Sequence, residues 1–237
     1  MRLLTALFLV FSMNASSEEI RVLSGGAAKS LVDPLAASFK GAKVNVEYQP
    51  MGRLTQSLKA GDHADMVIVT TEVLPSLGLQ GKAIARVAIG VAVNEKAPSP
   101  DISTVEAFRK TVLAAKSVVF IDPAVGTSGK HLAEVFKKLN IEKEVYAKAT
   151  LGKGGYVTEP VGRGEIELGI HQISEILPVK GVKLVGPLPA DLQKYTVYVA
   201  APSAKTGKKA TVDAFIAHLT GPEARGRLDK AGYTAPE

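Results

Sequence analysis

Short apolar runs alternate with stretches of helical period along this chain, and the alternation predicts an α/β protein. Ile20–Leu23 reads as a strand, Ala28–Phe39 as a helix and Val44–Tyr48 as the next strand. Pro34 either kinks that first helix or opens its regular part after Asp33. Arg53–Ala60 reads as a helix closed by Gly61, and Met66–Val69, apolar at every position, as a strand covered on both faces. This βαβαβ order predicts a parallel sheet with helices on both sides. A second unit starts with Val87–Val93, read as one long β-rich run. A helix opens near Thr104 and Glu106, then come a strand at Val118–Ile121 and an amphipathic helix at Ser128–Leu139. Val145–Ala147, Leu168–His171 and Val182–Val185 read as short strands. Thr196–Ala200 is a last strand before two helices, Lys208–Leu219 and Pro222–Ala231.

The simplest partition of this order has two doubly wound lobes. Lobe one takes 18–86 plus 195–237 and lobe two takes 87–194, with two chain crossings forming a hinge. In open α/β sheets ligands sit beyond the carboxyl ends of strands, so loops from both lobes would face one cleft. Met1–Ser17 reads as an export signal: Arg2, a nine-residue apolar run from Leu3 to Phe11, then small residues at Ala15 and Ser17. That run is far short of the roughly 20 residues a membrane helix needs. A periplasmic or secreted protein, soluble after removal of the signal, is expected.

Composition narrows the partner. With 46% hydrophobic and 22% charged residues among 237, the chain is ordinary globular material. It has no cysteine, which excludes disulfides and thiolate metal sites. The formal charge of +6 favours anions or serves solubility. Nucleic acid is rejected, because Lys and Arg are scattered and aromatics make up only 5%, without tryptophan. A small anionic ligand, no cofactor, no metal and a monomeric chain are the expectation.

Three glycine-bearing loops precede predicted helices: Ser24-Gly25-Gly26-Ala27, Pro50-Met51-Gly52-Arg53 and Gly126-Thr127-Ser128-Gly129. Helix starts of this kind offer unpaired amides to an anion, although the same residues also serve as plain caps. Arg53 adds a fork suited to a carboxylate, and Thr70 follows the buried strand. Gly126–Lys130 is no phosphate loop, since Ala124 and His131 stand where glycine and a hydroxyl are required. His63, His131, His171 and His218 have no metal spacing, and His63 and His218 are expected at the surface. His171, at a strand end, is the candidate general base if the protein is an enzyme. A structural hydrogen bond is the alternative.

Ile20-Arg-Val-Leu-Ser-Gly-Gly-Ala-Ala28, Gly52-Arg-Leu-Thr-Gln-Ser-Leu-Lys-Ala-Gly61, Ala64-Asp-Met-Val-Ile-Val69, Asp122-Pro-Ala with Ser128-Gly129, and Gly164-Glu-Ile-Glu-Leu-Gly-Ile170 together resemble the type II periplasmic binding proteins of the molybdate-binding group. The resemblance covers nearly all of the chain after residue 17. It implies capture of a small anion by hinge closure for an ABC transporter permease. Carried over residue by residue, the two loop serines that contact molybdate in that group become Ala27 and Met51 here. The small residue after the third strand becomes Thr70, the helix-start residue of lobe two Ser128, the next loop contact Gly154, and the site tyrosine Gln172. Both lobe-one hydroxyls are therefore absent, which favours a planar carboxylate over a tetrahedral oxyanion. Val22-Leu-Ser-Gly-Gly-Ala27, His171-Gln-Ile-Ser-Glu-Ile176 and Val185-Gly-Pro-Leu-Pro-Ala190 are also similar to bacterial aconitate isomerases, which implies the alternative of a cofactor-free isomerase of an unsaturated tricarboxylic acid.

Overall fold

The computed structural model describes residues 18–236. The proposed export signal and its cleavage point lie outside the described residues. In chain order the elements are β1 (Glu19–Gly25), α1 (Lys29–Ser38), β2 (Lys43–Gln49), α2 (Met51–Lys59), β3 (Met66–Thr70) and β4 (Lys82–Val87). Then come β5 (Ile89–Asn94), α3 (Val105–Ala114), β6 (Val118–Ile121), α4 (Thr127–Lys138), α5 (Glu142–Tyr146) and β7 (Ala149–Gly152). The chain continues through α6 (Glu159–Gly162), β8 (Leu168–Gln172), α7 (Ile173–Ile176), β9 (Val182–Pro187) and β10 (Thr196–Pro202). It ends in α8 (Lys209–Leu219), α9 (Pro222–Arg227) and β11 (Tyr233–Thr234).

Two mixed sheets result, ordered β11-β4-β10-β3-β1-β2 and β7-β6-β8-β5-β9. β1 pairs in parallel with both β2 and β3, as the βαβαβ pattern requires. β10 returns antiparallel beside β3 and so joins the end of the chain to the first sheet. Each sheet carries its own apolar core, one around Leu23, Leu54, Ile68 and Phe215, the other around Phe108, Phe120, Phe136 and Ile170. Two lobes are the outcome, joined where the chain passes from β4 to β5 and again ahead of β10. No helix among the described residues is long and apolar enough to cross a membrane.

The structure differs from the sequence pattern in several places, three of which bear on the lobes and the site. Val87–Val93 is not one strand: the chain leaves the first sheet at Val87 and joins the second at Ile89. Val145 lies in helix α5, buried among the second core, and the strand comes after it at Ala149–Gly152. Three apolar residues cannot separate a period of 2 from one of 3.6. α1 runs through Pro34 rather than restarting there, entered through a 3-10 turn at Gly26–Ala28. Thr104 caps α3 as its position suggests, its side chain accepting from the Ala107 amide at 3.1 Å.

Candidate functional site

A cavity of about 220 Å³ lies between the lobes. Gly26 and Ala27 line it from the β1–α1 turn, and Pro50 and Met51 from the start of α2. Lobe two contributes Thr127 and Ser128 from the start of α4, Gly154 to Tyr156 from the loop after β7, and His171, Gln172 and Glu175 from the end of β8 and α7. Strand ends and helix starts therefore converge, which leaves first-turn amides facing the space.

The lobes touch directly around this cavity. The Gly52 amide donates to the Val125 carbonyl at 3.0 Å. Ser174 Oγ donates to the Ala27 carbonyl at 2.8 Å. The Tyr198 hydroxyl of β10 donates to Gln172 Oε1 at 3.3 Å, while Gln172 Nε2 reaches Thr127 Oγ1 at 3.1 Å and Thr196 Oγ1 at 3.2 Å. Gly154 stands against Pro50, and a Cβ there would come within 2.8 Å of the proline ring.

At the lobe-two wall lies a buried acid–base pair. His171 Nε2 is 2.9 Å from Glu175 Oε2, with side chains only 1% and 9% exposed. The contact does not form a hydrogen bond, and it is an ion pair only when the imidazole is protonated. On the other side of the ring, His171 Nδ1 is 3.1 Å from Ser128 Oγ. Opposite stands Lys29, whose Nζ is 2.7 Å from Asp33 Oδ2 and 4.5 Å from the centre of the Tyr48 ring. Tyr48 in turn donates to Asp33 Oδ1 at 2.6 Å. Burial pushes the Tyr198 hydroxyl pKa well up, and the Glu175 charge adds to it. Burial also raises Tyr48, reinforced by its bond to Asp33, and raises Tyr156 against the pull of Lys29. All three phenols are therefore donors at neutral pH.

Of the residues expected from sequence, Gly26, Ala27, Met51, Ser128, Gly154, His171 and Gln172 line this cavity together. Arg53 does not: it is exposed on α2 and borders neither this cavity nor its neighbour, because Met51 and Leu54 mark the buried face of the helix and Arg53 lies off it. Ser24 is fully buried in β1 and donates to the Gly25 carbonyl at 3.1 Å. Gly25 packs under Met51 and Tyr198, and Gly129 under β6, so these two serve close packing. Thr70 faces a separate cavity of about 380 Å³ on the other side of Met51 and Thr127. His63 is exposed, whereas His218 is half-buried beside Ser38 and the Leu35 carbonyl. Sequence reasoning gave no role to Lys29, Tyr48, Tyr156, Glu175 or Tyr198. A signal existed for Glu175, an acid four residues beyond the histidine.

Residues 20–234 match the family of bacterial extracellular solute-binding proteins. The chain belongs to that family. Among relatives of this solute-binding protein, an aconitate isomerase from a Pseudomonas species is 31% identical over 90% of this chain and 86% of its own. The molybdate-binding protein ModA of Escherichia coli strain K12 is 25% identical over 97% and 95%. Among solved structures, the periplasmic molybdate-binding protein of Azotobacter vinelandii superposes with a TM-score of 0.75 at 17% identity, covering 92% of this chain and all of that one. A periplasmic thiamin-binding protein gives 0.73 at 12% identity over 97% and 86%. These structural likenesses bear out the two-lobe α/β fold.

Proposed function

We propose that this solute-binding protein is an exported isomerase of a small unsaturated polycarboxylic acid, which it captures between its lobes and isomerises by moving a proton. The observation that carries this reading is the buried His171–Glu175 pair on the cavity wall. A receptor that only holds an anion gains nothing from a carboxylate in its binding site. Such a group repels the guest unless a neighbour compensates it. A proton-transfer enzyme needs such a pair, within reach of the guest and shielded from water. The resemblance to molybdate-binding proteins put capture for an ABC transporter first, and the pair favours the isomerase alternative. The likeness to an aconitate isomerase points the same way.

The remaining lining suits a carboxylate. Lys29 supplies the cationic group, Tyr156 and first-turn amides supply neutral donors, and Ala27 and Met51 supply no hydroxyl for a tetrahedral oxyanion. Isomerisation of an allylic acid takes a proton from the carbon on one side of the double bond and returns one on the other. It needs no redox partner, so the reaction asks for no cofactor. The receptor reading keeps one specific support, the direct lobe-to-lobe contacts that would couple guest capture to a closed surface a permease could read. Export is supported by the Met1–Ser17 pattern.

One experiment separates the readings. The purified protein is incubated with cis-aconitate, and the trans isomer is followed by proton NMR alongside calorimetry. Turnover is expected. Tight binding without turnover would favour the receptor, and micromolar binding of molybdate with carboxylates ignored would overturn both.

A further inference from the structure

His171 is the group a sequence reader assigns as base, but both of its ring nitrogens are turned to protein groups and Nε2 is shut from solvent. Nδ1 meets Ser128 Oγ at 3.1 Å, Nε2 meets Glu175 Oε2 at 2.9 Å, and the side chain is 1% exposed. Nε2 is buried behind the Glu175 carboxylate, which stands between it and the open cavity. Glu175 is placed differently. Its Oε2 is turned to His171, while its Oε1 is turned to the β1–α1 turn, so that a Cβ at Gly26 would lie 3.2 Å from it. Gly26 and Glu175 both line the cavity, and the missing side chain at Gly26 leaves this carboxylate oxygen open to it.

We propose that Glu175 is the catalytic residue that carries the proton, and that His171 and Ser128 are positioning residues that hold its carboxylate. The inference rests on the isomerase reading above and names the acting group within it. In the forward step the Glu175 carboxylate takes a proton from the methylene beside the double bond. The C–H bond breaks, an O–H bond forms, and the electron pair spreads over the three allylic carbons and the attached carboxylate. In the return step the O–H proton goes to the far allylic carbon and the double bond settles one position along. Atoms and electrons balance, and Glu175 ends as it began. His171 beside Oε2 fixes the direction of the Glu175 carboxylate, and Ser128 holds the ring from behind.

The test uses the full protein with cis-aconitate in heavy water, reading isomer turnover, exchange of the methylene protons and calorimetric affinity. E175Q keeps the shape of the side chain and is expected to lose both turnover and exchange by about 10²–10⁴-fold with affinity within a few-fold of wild type. E175D, one carbon shorter, is expected to bind and to exchange slowly, and guards against a folding defect in the first variant. H171N and S128A are expected to lower kcat by roughly ten- to a hundredfold with little change in KM, a split that a loss of binding or folding does not give. Exchange by E175Q near the wild-type rate, with H171N inactive, overturns the assignment of Glu175 alone. A wild-type protein that fails to bind cis-aconitate, or binds it without turnover or exchange, overturns the isomerase reading and the role of Glu175 with it.

Discussion

Lys29 and Arg53 pose the same question at the residue scale: which cation beside a helix start faces the guest? Sequence favours Arg53 because it follows a glycine at the predicted start of a helix and carries a planar fork. Helix phase argues otherwise, with Met51 and Leu54 buried and Arg53 exposed. Lys29 opens α1 directly beneath the β1–α1 turn and lines the cavity. K29A is therefore expected to weaken binding of an organic carboxylate by about tenfold or more, since a charged hydrogen bond is worth roughly 1.5–3 kcal/mol. R53A should change affinity less than about twofold, because an exposed charge is screened by solvent. Calorimetry on both variants checks this, and the reverse ranking would return the role to Arg53. The same limit on legibility applies to Tyr48, Tyr156 and Tyr198. Nothing local in the chain distinguishes a phenol that borders a cleft from one that packs in a core, because tertiary pairing alone makes the difference.

Elements with a long apolar period were legible and those without it were not. β1 to β3, α4 and α8 stand within a residue or two of the positions their patterns imply, for each packs an apolar face against a core, that of β2 only partly buried. The break between β4 and β5 was hidden, because a chain crossing between two sheets needs no polar residue or turn motif when both of its ends are buried. The short α6, α7 and β11 hold too few residues to show a period. α4 shows how an element places chemistry. Its buried positions Ser128, Gly129, Leu132, Val135 and Phe136 form one stripe against β6 and the second core, and the stripe sets Ser128 behind His171. A Cβ at Gly129 would fall 2.0 Å from the Ile121 carbonyl oxygen, so G129A must lift the first turn of α4 off β6. Overpacking of this kind costs about 1–3 kcal/mol. Denaturant melting should register that loss, and activity should fall further than stability because Ser128 moves with the turn. A variant with unchanged midpoint and rate would show that α4 does not hold the site.

At the scale of the whole molecule, the proposed function needs a guest to bridge two lobes, each with its own core. A guest in the cavity would touch the β1–α1 turn and α2 on one side and α4 and β8 on the other, and on the proposed reading it favours the closed arrangement by its differential affinity for that state. Gly52 sits at the contact: its amide bonds to the Val125 carbonyl, and a Cβ there would lie 3.2 Å from that oxygen and 3.3 Å from the Ala124 carbonyl oxygen. A methyl would fit with a small adjustment, whereas the branched side chain of G52L would not, and both lobes present rigid backbone at that point. G52L should therefore hold the lobes apart while leaving each core intact, since Gly52 opens a helix for which leucine is the better former. Two measurements follow. Small-angle scattering should show wild-type protein contracting on addition of the acid and G52L failing to contract. Thermal melting should show the guest at a hundred times the wild-type Kd adding about 2.7 kcal/mol to the wild type and much less to G52L, because a guest stabilises only the state it binds. Melting without the guest should differ little between the two. If G52L contracts normally and gains the full increment, closure does not pass through this contact, and coupling of guest to lobe movement must be sought at the Ser174–Ala27 bond instead.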